Sequence, residues 1–461
     1  MKTVFFGGGS HRLVSILRGT LKDPAVFGDG EIFLYDPNVQ RAEAVGRTVK
    51  QTPEFRKSEA KIRWGSSLDE ALPGASAVTV TLAAGTAFNR EWSDQVCWDH
   101  GFMGSDNVSP SGSIFGVMGA PILLELARKM EQHCPDAWIL DFANPVAMLA
   151  GMVTRHTKIK ALGICGGFMN HFADIGRIFG KDESRKDLDV HCAGINHLSF
   201  IVDGTLAGRD LFEQLDRHLA GGWKMCALDP MWNEGAQKSI TRSVTNLVRF
   251  YRELGVLIFS TEGDGMAHLA YEEFFERDRT RTSRAEVEKR VEESGKNRAK
   301  ANADFEAKAA GTLDDAFWAA QGPRGPYVRT EDDIFIRCLR GIAGVEKIKL
   351  AASSLNRGAI EGIGDDQVVE YTQYLYKQTS RPAGRYKVPG IVHGLISSLA
   401  NHQTLVGDAC FAEDPKLLAE ALLSYPMRPF SKDAKALFRE LIEINKAQIP
   451  QALHRAVDYL R

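Results

Sequence analysis

The chain has 461 residues, of which 44% are hydrophobic and 25% charged, and 57 Lys and Arg against 59 Asp and Glu leave a net charge of -2. The length suggests two or three domains, or one core with large insertions. The composition is typical of a globular protein, and the near-zero net charge excludes a generally polybasic binder of nucleic acid or membranes. We find no apolar run of the roughly 18–20 residues that a spanning helix needs and no signal-peptide pattern, so we expect a cytoplasmic protein with no nucleic-acid or membrane partner.

Short β-rich runs alternate with helical patterns over the first 200 residues. The strand candidates are Thr3–Phe6, Ile32–Tyr35, Ala77–Leu82, Trp138–Asp141 and Ala161–Ile164. Apolar residues at helical spacing predict helices over Arg12–Leu21, Val39–Lys50, Ala120–His133 and Val146–His156. This alternation predicts an α/β fold, a Rossmann-like doubly wound parallel sheet.

The pattern changes after about residue 187. We predict one strand over His191–Val202, a helix over Ser243–Leu254 and a solvated, charged surface helix over Arg277–Ala310, followed by helices from Val392 onward. We therefore divide the chain into a first domain, residues 1–189, and a second, α+β substrate domain, residues 190–461.

A glycine-rich turn follows the first strand candidate and consists of Gly7, Gly8, Gly9 and Ser10. Glycines before a helix let the backbone approach a pyrophosphate, and the helix N-terminus offers it unpaired N–H groups. Because arginine stands where G-x-G-x-x-G has its last glycine, an ordinary glycine turn remains the alternative. Asp36, at the end of the second strand candidate, can accept hydrogen bonds from ribose hydroxyls, which favours NAD over NADP.

Three further segments end a strand candidate or, in the last case, end or interrupt one: DFANP at 141–145, GICGG at 163–167 and GINHL at 194–198. Carboxyl ends of parallel strands meet at one edge of a sheet, where ligands bind. Cys165 and His197 could together hold a divalent metal and leave positions open for substrate oxygens. The alternative is that the cysteine and the histidine are both structural residues of the core.

Several motifs together resemble a known family. They are GGGS at 7–10, SDNVSPSGSIF at 105–115, CPDAWILDFANPVAM at 134–148, LGIC at 162–165, GINHL at 194–198 and NRGAI at 356–360. In this order they resemble the NAD- and manganese-dependent glycosidases of glycoside hydrolase family 4. The resemblance implies a fold shared with lactate and malate dehydrogenases, a homodimer or homotetramer, and a small-molecule glycoside substrate.

The resemblance also implies a reaction that is an exception to the two-carboxylate glycosidase mechanism. NAD takes a hydride from C3 of the sugar, a base removes the C2 proton while the metal stabilises the enediolate, and the C1 substituent is eliminated. Water then adds and the hydride returns to C3, so the net reaction is hydrolysis.

By the same resemblance, Cys165 and His197 are the ligands of Mn2+. Another divalent transition metal is the alternative, because a thiolate is a softer ligand than manganese prefers. Asn144 aligns with an asparagine that contacts the substrate hydroxyls near the metal and is also assigned to the cofactor site. Asp106 aligns with an aspartate of the same pocket.

For the base at C2 the resemblance favours Asp264, with Tyr271 and Tyr251 in reserve. A carboxyl of ordinary pKa is a weak base, so the C2 proton has to be acidified by the metal. His268 is a candidate substrate-binding residue, with a structural role as the alternative. Gly166 stands where some members have a residue that helps to protonate the leaving group. Asn170 or His171 could replace that residue, and a good leaving group could do without an acid.

One difference between this sequence and the phospho-glycosidases of the family indicates the class of sugar. Phospho-glycosidases of the family usually carry an arginine after the third strand, whereas residues 82–88 (LAAGTAF) contain none. This favours a non-phosphorylated α-glycoside or an α-uronide, with a 6-phospho-glycosidase as the alternative. Arg90 or Arg12 could bind a carboxylate bidentately, unless they are ordinary surface residues.

Two other functions remain open from the sequence. One is a simple NAD-dependent dehydrogenase of a sugar or a hydroxy acid, which would produce NADH. The other is a non-catalytic NAD-binding redox sensor in which Cys165 is the reactive thiol. The seven cysteines are widely scattered, which argues against a disulfide framework.

Overall fold

The computed structural model describes residues 1–183, 185–258, 263–270, 282–321, 333–426 and 434–460. Its N-terminal part contains six parallel strands: β1 (Lys2–Phe6), β2 (Glu31–Tyr35), β3 (Lys61–Gly65), β4 (Ala77–Val80), β5 (Trp138–Asp141) and β6 (Lys160–Gly163). Their order in the sheet is β6-β5-β4-β1-β2-β3. The direction of the chain order reverses between β1 and β4, which is where open α/β sheets form their ligand crevice.

Helices connect these strands: α1 (Arg12–Leu21), α2 (Pro24–Phe27), α3 (Val39–Lys50), α4 (Pro53–Arg56), α5 (Leu68–Ala71), α6 (Ala87–Asp99), α7 (Pro110–His133), α8 (Val146–His156) and α9 (Gly167–Ile178). The predicted doubly wound parallel sheet is confirmed. Three predicted helices, α1, α3 and α8, have the bounds that the sequence indicated. The fourth is longer than predicted, because Ser109 caps α7 by accepting from Gly112 N–H and Pro110 occupies its first turn.

Helix α7 differs from the expectation that no segment reaches membrane-spanning length. It is long and apolar enough, by length and composition alone, to cross a membrane, but 83% of its most apolar window is buried inside the fold. Its apolar residues therefore fill the core between α8 and the later helices.

The second part of the chain extends the same sheet with β7 (Leu188–Ile195), β8 (Leu198–Leu206), β9 (Arg209–Asp210), β10 (Leu257–Ile258), β11 (Ile348–Leu355), β12 (Val368–Tyr376) and β13 (Thr379–Pro382). These strands pair antiparallel in the order β10-β8-β7-β12-β11, and β11 joins β6 where Ser353 pairs with Gly163. The single strand predicted over His191–Val202 is wrong. The chain turns at Asn196 and His197, whose φ of 68° is left-handed, so this segment forms a hairpin.

The remaining helices are α10 (Leu211–Ala220), α11 (Glu234–Leu254), α12 (Gly263–Ala267), α13 (Arg284–Ala310), α14 (Asp315–Ala319), α15 (Ile334–Ala343), α16 (Gly390–Ala412), α17 (Pro415–Leu423), α18 (Ala434–Ile444) and α19 (Ala456–Tyr459), with a 3-10 helix at Gln451–Arg455. Most of α13 is exposed, as predicted, but Val287, Phe305 and Ala309 are buried. The sheet runs without interruption across residue 190, so the domain boundary stays a prediction.

Candidate active site

The glycine turn lies at the carboxyl end of β1, in the crevice. The N–H groups of Gly7 and Gly8 both donate to the carbonyl oxygen of Tyr35, at 2.9 and 2.7 Å. Gly7 has a φ of 97°, and a Cβ there would lie 2.3 Å from the carbonyl oxygen of Thr81, so only glycine fits. No side chain caps the N-terminus of α1, and in its first turn the N–H groups of Leu13 and Val14 donate to the carbonyl oxygens of Ser10 and His11. The partial positive charge of this helix end favours an anion. This cradle fits a dinucleotide pyrophosphate.

Asp36 stands beside this turn, at the carboxyl end of β2. Its Oδ2 accepts a hydrogen bond from the N–H of Gly9 at 2.9 Å, and its Oδ1 accepts one from Asn38 N–H at 2.9 Å. The acid therefore touches the turn and is only partly buried. An acid in this position suits the adenosine ribose of NAD.

The two predicted metal ligands meet across the sheet. Cys165 follows β6, and His197 occupies the turn between β7 and β8. The Cys165 thiol interacts directly with the His197 ring. A thiolate and an imidazole on two different strand ends form a donor pair that suits a divalent transition metal.

Asp264, on α12, orients the imidazole from the other side. Its Oδ1 lies 3.1 Å from His197 Nδ1 and accepts from the Gly265 N–H, while its Oδ2 accepts from Ser105 Oγ at 2.6 Å and from Val108 N–H at 3.0 Å. The carboxylate is only 4% exposed, and these four partners engage both of its oxygens. A carboxylate on one ring nitrogen fixes the orientation of a ligating histidine, and here it leaves Nε2 to face Asn107.

The charges of Asp264 and His197 stabilise each other. Burial alone would raise the pKa of Asp264, but the His197 ring and the hydrogen bonds from Ser105 and Val108 lower it to about 2. Burial alone would lower the pKa of His197, whereas the Asp264 carboxylate, helped by Cys165, raises it well above the usual value. Asp264 is therefore ionised throughout the neutral range, and a cation bound by His197 would have to displace a proton from the ring.

Asn107 completes this side of the site. Its Nδ2 lies 3.0 Å from His197 Nε2, and its Oδ1 accepts from the Val146 N–H at 3.3 Å. Within the described part of the chain, no group of three or more His, Cys, Asp or Glu could hold a metal ion. The residues thus fit a metal held by two protein ligands, with the other positions left to substrate oxygens or water.

Asp106, Asn144 and Arg90 form the next wall of the crevice. Asn144 Nδ2 donates to Asp106 Oδ2 at 2.7 Å, and Arg90 Nη2 lies 3.4 Å from the same oxygen. Arg90 also lies over the Phe115 ring, 4.3 Å from its centroid. The structure therefore brings together the three residues that the sequence assigned to substrate binding at this wall, beside Asn107 and the metal pair.

His268 lies behind this wall. Its Nε2 lies 3.1 Å from the carbonyl oxygen of Val108 and 3.2 Å from the Tyr425 hydroxyl, which itself donates to that carbonyl oxygen at 2.8 Å. Burial lowers the pKa of His268. These contacts favour the structural alternative, in which a neutral His268 holds the peptide of Val108.

The reserve candidates for the base differ in position. Tyr271 lies outside the described residues. The hydroxyl of Tyr251 donates to Asp216 on α10 at 2.7 Å, which commits it to a different surface of the protein.

The sequence did not point to Glu370, which is the one acidic residue of a partly apolar strand. Glu370 on β12 is 6% exposed and accepts from Asn196 Nδ2 and from Ser199 Oγ, both at 2.9 Å. It thereby holds the hairpin that presents His197. An acidic residue inside the β-rich run VVEYTQYLY was the available signal, because a buried charge needs partners.

Comparison with protein families gives two matches. The model of the family 4 glycosyl hydrolases matches residues 2–178, and the model of the C-terminal domain of the same family matches residues 192–427. The two matches together span most of the chain.

Known proteins of two kinds resemble the chain. It is 23% identical over 467 residues to a probable 6-phospho-beta-glucosidase of Bacillus subtilis (strain 168), with 99% of this chain and 98% of that protein covered. It is 24% identical over 476 residues to an alpha-galacturonidase of Thermoanaerobacter italicus, with 96% of each covered. The solved structure of a 6-phospho-alpha-glucosidase from gut microorganisms, in complex with NAD and glucose-6-phosphate, has a TM-score of 0.78 at 20% identity and covers 98% of this chain and 99% of that chain. At this identity the structural likeness shows a shared fold.

Proposed function

The chain belongs to family 4 of the glycosyl hydrolases, and we propose that within it the protein is an NAD- and divalent-metal-dependent glycosidase of non-phosphorylated α-glycosides, with α-uronides as its main substrates. The observation that carries this proposal is the convergence of Cys165 with His197 and of Asp106 with Asn144, which Asn107 links. These residues lie at the edge of the sheet where the glycine turn follows β1. The small-molecule substrate, a homodimer or homotetramer and a cytoplasmic location are parts of the same proposal.

The glycine turn and Asp36 would hold NAD, and Cys165 with His197 would hold Mn2+ or a related cation. When bound, NAD would accept a hydride at C3 and later return it, while the cation would acidify the proton at C2. Both sites lie at the same edge of the sheet, because the parallel strands β1 and β6 end there, with β4 and β5 between them. Asp106 and Asn144, already hydrogen-bonded to each other, would orient the sugar hydroxyls between them.

In this proposal Asp264 is not the base at C2, which is the role that the sequence indicated for it. A buried carboxylate with a pKa of about 2 and four hydrogen-bond partners is a poor proton acceptor. We assign to Asp264 the orientation of His197. The base at C2 is then Tyr271, the second residue that the sequence predicted for this role.

Arg90 supports the uronide. Its guanidinium is about one-fifth exposed and meets Asp106 only at 3.4 Å, so donors remain for a substrate carboxylate. The second candidate, a 6-phospho-glycoside, rests on the relatives that carry that name. Against it, residues 82–88 contain no arginine to meet a phosphate.

A glycoside panel tests the proposed substrate. Aryl α- and β-glucosides, α-galactosides, α-uronides and their 6-phosphates are assayed with NAD, Mn2+ and a thiol reductant. We expect the highest kcat/KM with an α-uronide. Arg90→Ala should then lower kcat/KM for the uronide by about 10- to 100-fold, the value of a charged hydrogen bond, and should change kcat/KM for the neutral glycoside far less.

Arg47→Ala, an exposed arginine on α3, is the matched control and should leave both substrates unaffected. A preference for 6-phosphates, or an Arg90→Ala variant with unchanged selectivity, would contradict the proposed substrate class.

A further inference from the structure

Four residues crowd their oxygens together where α6 meets the loop before α7. Asp94 Oδ1 lies 2.6 Å from Ser111 Oγ, and Ser111 Oγ lies 2.8 Å from the carbonyl oxygen of Ser105. Ser109 Oγ lies 2.6 Å from the same carbonyl oxygen. Each contact is as short as an O–H···O hydrogen bond. The loop can approach this closely because a Cβ on Gly104 would lie 2.4 Å from the carbonyl oxygen of Asp94.

The number of hydrogens that these contacts need decides whether the carboxyl group of Asp94 is protonated or ionised. A fourth contact, between Ser109 Oγ and Ser111 Oγ, is longer, at 3.0 Å. The three contacts of 2.8 Å or less each need a hydrogen, since two oxygens that lie so close without one repel each other. The carbonyl oxygen of Ser105 contributes none, and each serine hydroxyl contributes one. The Ser105 N–H points at Ser109 Oγ and Ser111 Oγ, both at 3.1 Å, and so uses their lone pairs. The third hydrogen has to come from Asp94.

We propose that Asp94 is a positioning residue of the active site: a neutral carboxylic acid that donates to Ser111 and so completes a hydrogen-bonded chain that fixes the loop 104–109. In this chain Asp94 donates to Ser111 Oγ, and the two serine hydroxyls both donate to the carbonyl oxygen of Ser105. If Asp94 is ionised, Ser111 has to donate to it instead, and the contact between Ser111 and the Ser105 carbonyl oxygen loses its hydrogen.

The loop matters because of what it carries, and in this respect the inference rests on the proposed function. Asp106 and Asn107 lie in it, against Asn144 and the His197 ring. Ser105 Oγ and the Val108 N–H hold Asp264, which orients His197. Loosening the loop therefore disturbs both the sugar wall and the metal pair.

The surroundings of Asp94 agree with a neutral carboxyl. The pKa of Asp94 is raised to about 7, mainly by burial. The negative charge of Asp106 contributes to the rise, whereas a hydrogen bond donated by Ser111 to the ionised carboxylate opposes it. The other charged groups that face it are Arg90 on α6, which lowers the pKa, and Asp264 on α12, which raises it. Cys97 is its ionisable neighbour on α6. Helix α7 presents the neutral Ser111.

The activity test compares Asp94→Asn with the wild type across pH. An asparagine amide donates to Ser111 at every pH, whereas the carboxyl stops donating as the pH rises through about 7. We expect the ratio of kcat/KM, Asp94→Asn over wild type, to rise by about fivefold from pH 6 to pH 8, the value of one hydrogen bond. A ratio that stays flat or falls would overturn the proposal.

Two further variants separate this role from simple packing. Asp99→Asn, on the exposed side of the same helix, should give a flat ratio. In a Ser111→Ala background, adding Asp94→Asn should no longer produce the pH-dependent ratio, because the chain is already broken. If the pH dependence persists there, Asp94 acts by another route and the proposal fails.

A thermal melt provides a readout that needs no turnover. The folded pKa of Asp94 lies above the value near 4 of an unfolded aspartate, so wild-type stability falls as the pH rises from about 4 to about 7. The melting temperature of Asp94→Asn minus that of the wild type should therefore increase from pH 5 to pH 8. A constant difference contradicts the neutral carboxyl even if glycosides are hydrolysed. An increasing difference supports it even if no glycoside is hydrolysed, in which case the proposed function alone fails.

Discussion

Replacing Cys165 with serine is expected to lower kcat/KM for glycoside hydrolysis by about a thousandfold or more, because a metal supplies several kcal/mol of stabilisation to the developing charge. A serine hydroxyl is a poor replacement for the sulfur ligand that Cys165 would offer to a metal beside the His197 ring. Titration with Mn2+ should show the loss of tight binding. NAD binding should persist, since the glycine turn and Asp36 belong to separate strand ends.

Cys226→Ser is the matched control for this change, since Cys226 is also a free, partly exposed cysteine. It should retain full activity and metal binding. If Cys165→Ser retained full activity, the metal assignment would be wrong. If metal had no effect on the wild type and no glycoside were hydrolysed, the redox-sensor alternative, with Cys165 as its thiol, would replace the present account.

Asp264→Asn is expected to lower both metal affinity and kcat/KM by about 10- to 100-fold, the usual effect of losing the group that orients a metal-bound histidine. It should also destabilise the fold by about 3–5 kcal/mol, because it leaves one partner of a buried ion pair without its counter-charge. Isothermal titration with Mn2+ and denaturant unfolding measure the two effects. Raising the Mn2+ concentration should restore part of the activity.

The control for this change is another His–Asp pair, at the surface. Asp203 lies 3.4 Å from His191 and is 68% exposed, so Asp203→Asn should change stability by less than about 1 kcal/mol. If Asp264 were instead the base at C2, Asp264→Asn would abolish turnover and leave the affinity for Mn2+ unchanged. That outcome would favour the assignment made from the sequence.

Much of the first half of the fold follows from local pattern. Helices α1, α3 and α8 and strand β5 have the bounds that periodicity predicts, because each buries one continuous apolar face or run. Strand β3 is not visible in the sequence. It is a short edge strand in which exposed Lys61 and Arg63 flank the buried Ile62, and charged edge strands weaken the β signal.

The hairpin of β7 and β8 shows a second limit. Both strands are apolar, and their turn consists of Asn196 and His197, which carry no glycine or proline signal at the turn itself. The left-handed φ of His197 is stabilised by tertiary partners, Asp264 and the Asn196–Glu370 hydrogen bond. Local propensity cannot reveal such a turn, because the residues that stabilise it lie far away in the chain.

The residues of the candidate site also fall into two groups: those that the sequence indicates and those whose roles depend on the fold. Cys165, His197, Asp106 and Asn144 follow strands or stand in recognisable motifs, so the sequence alone proposes them as site residues before their contacts are known. The roles of Asp264, His268 and Asp94 depend on hydrogen-bond partners that are distant in sequence, such as Asp264 with Ser105. Burial and partners, which set whether a carboxyl accepts or donates a proton, exist only in the folded chain.

The central claim is that a hydride taken from the sugar returns to it within one turnover. Sugar release and NADH absorbance, followed together with the best substrate of the panel, test this claim most directly. The account predicts many sugars released for each NAD, no accumulation of NADH and no release when NAD is omitted. One NADH for each substrate consumed would show a simple dehydrogenase, and release that needs no NAD would show a different glycosidase mechanism; either result would contradict the account.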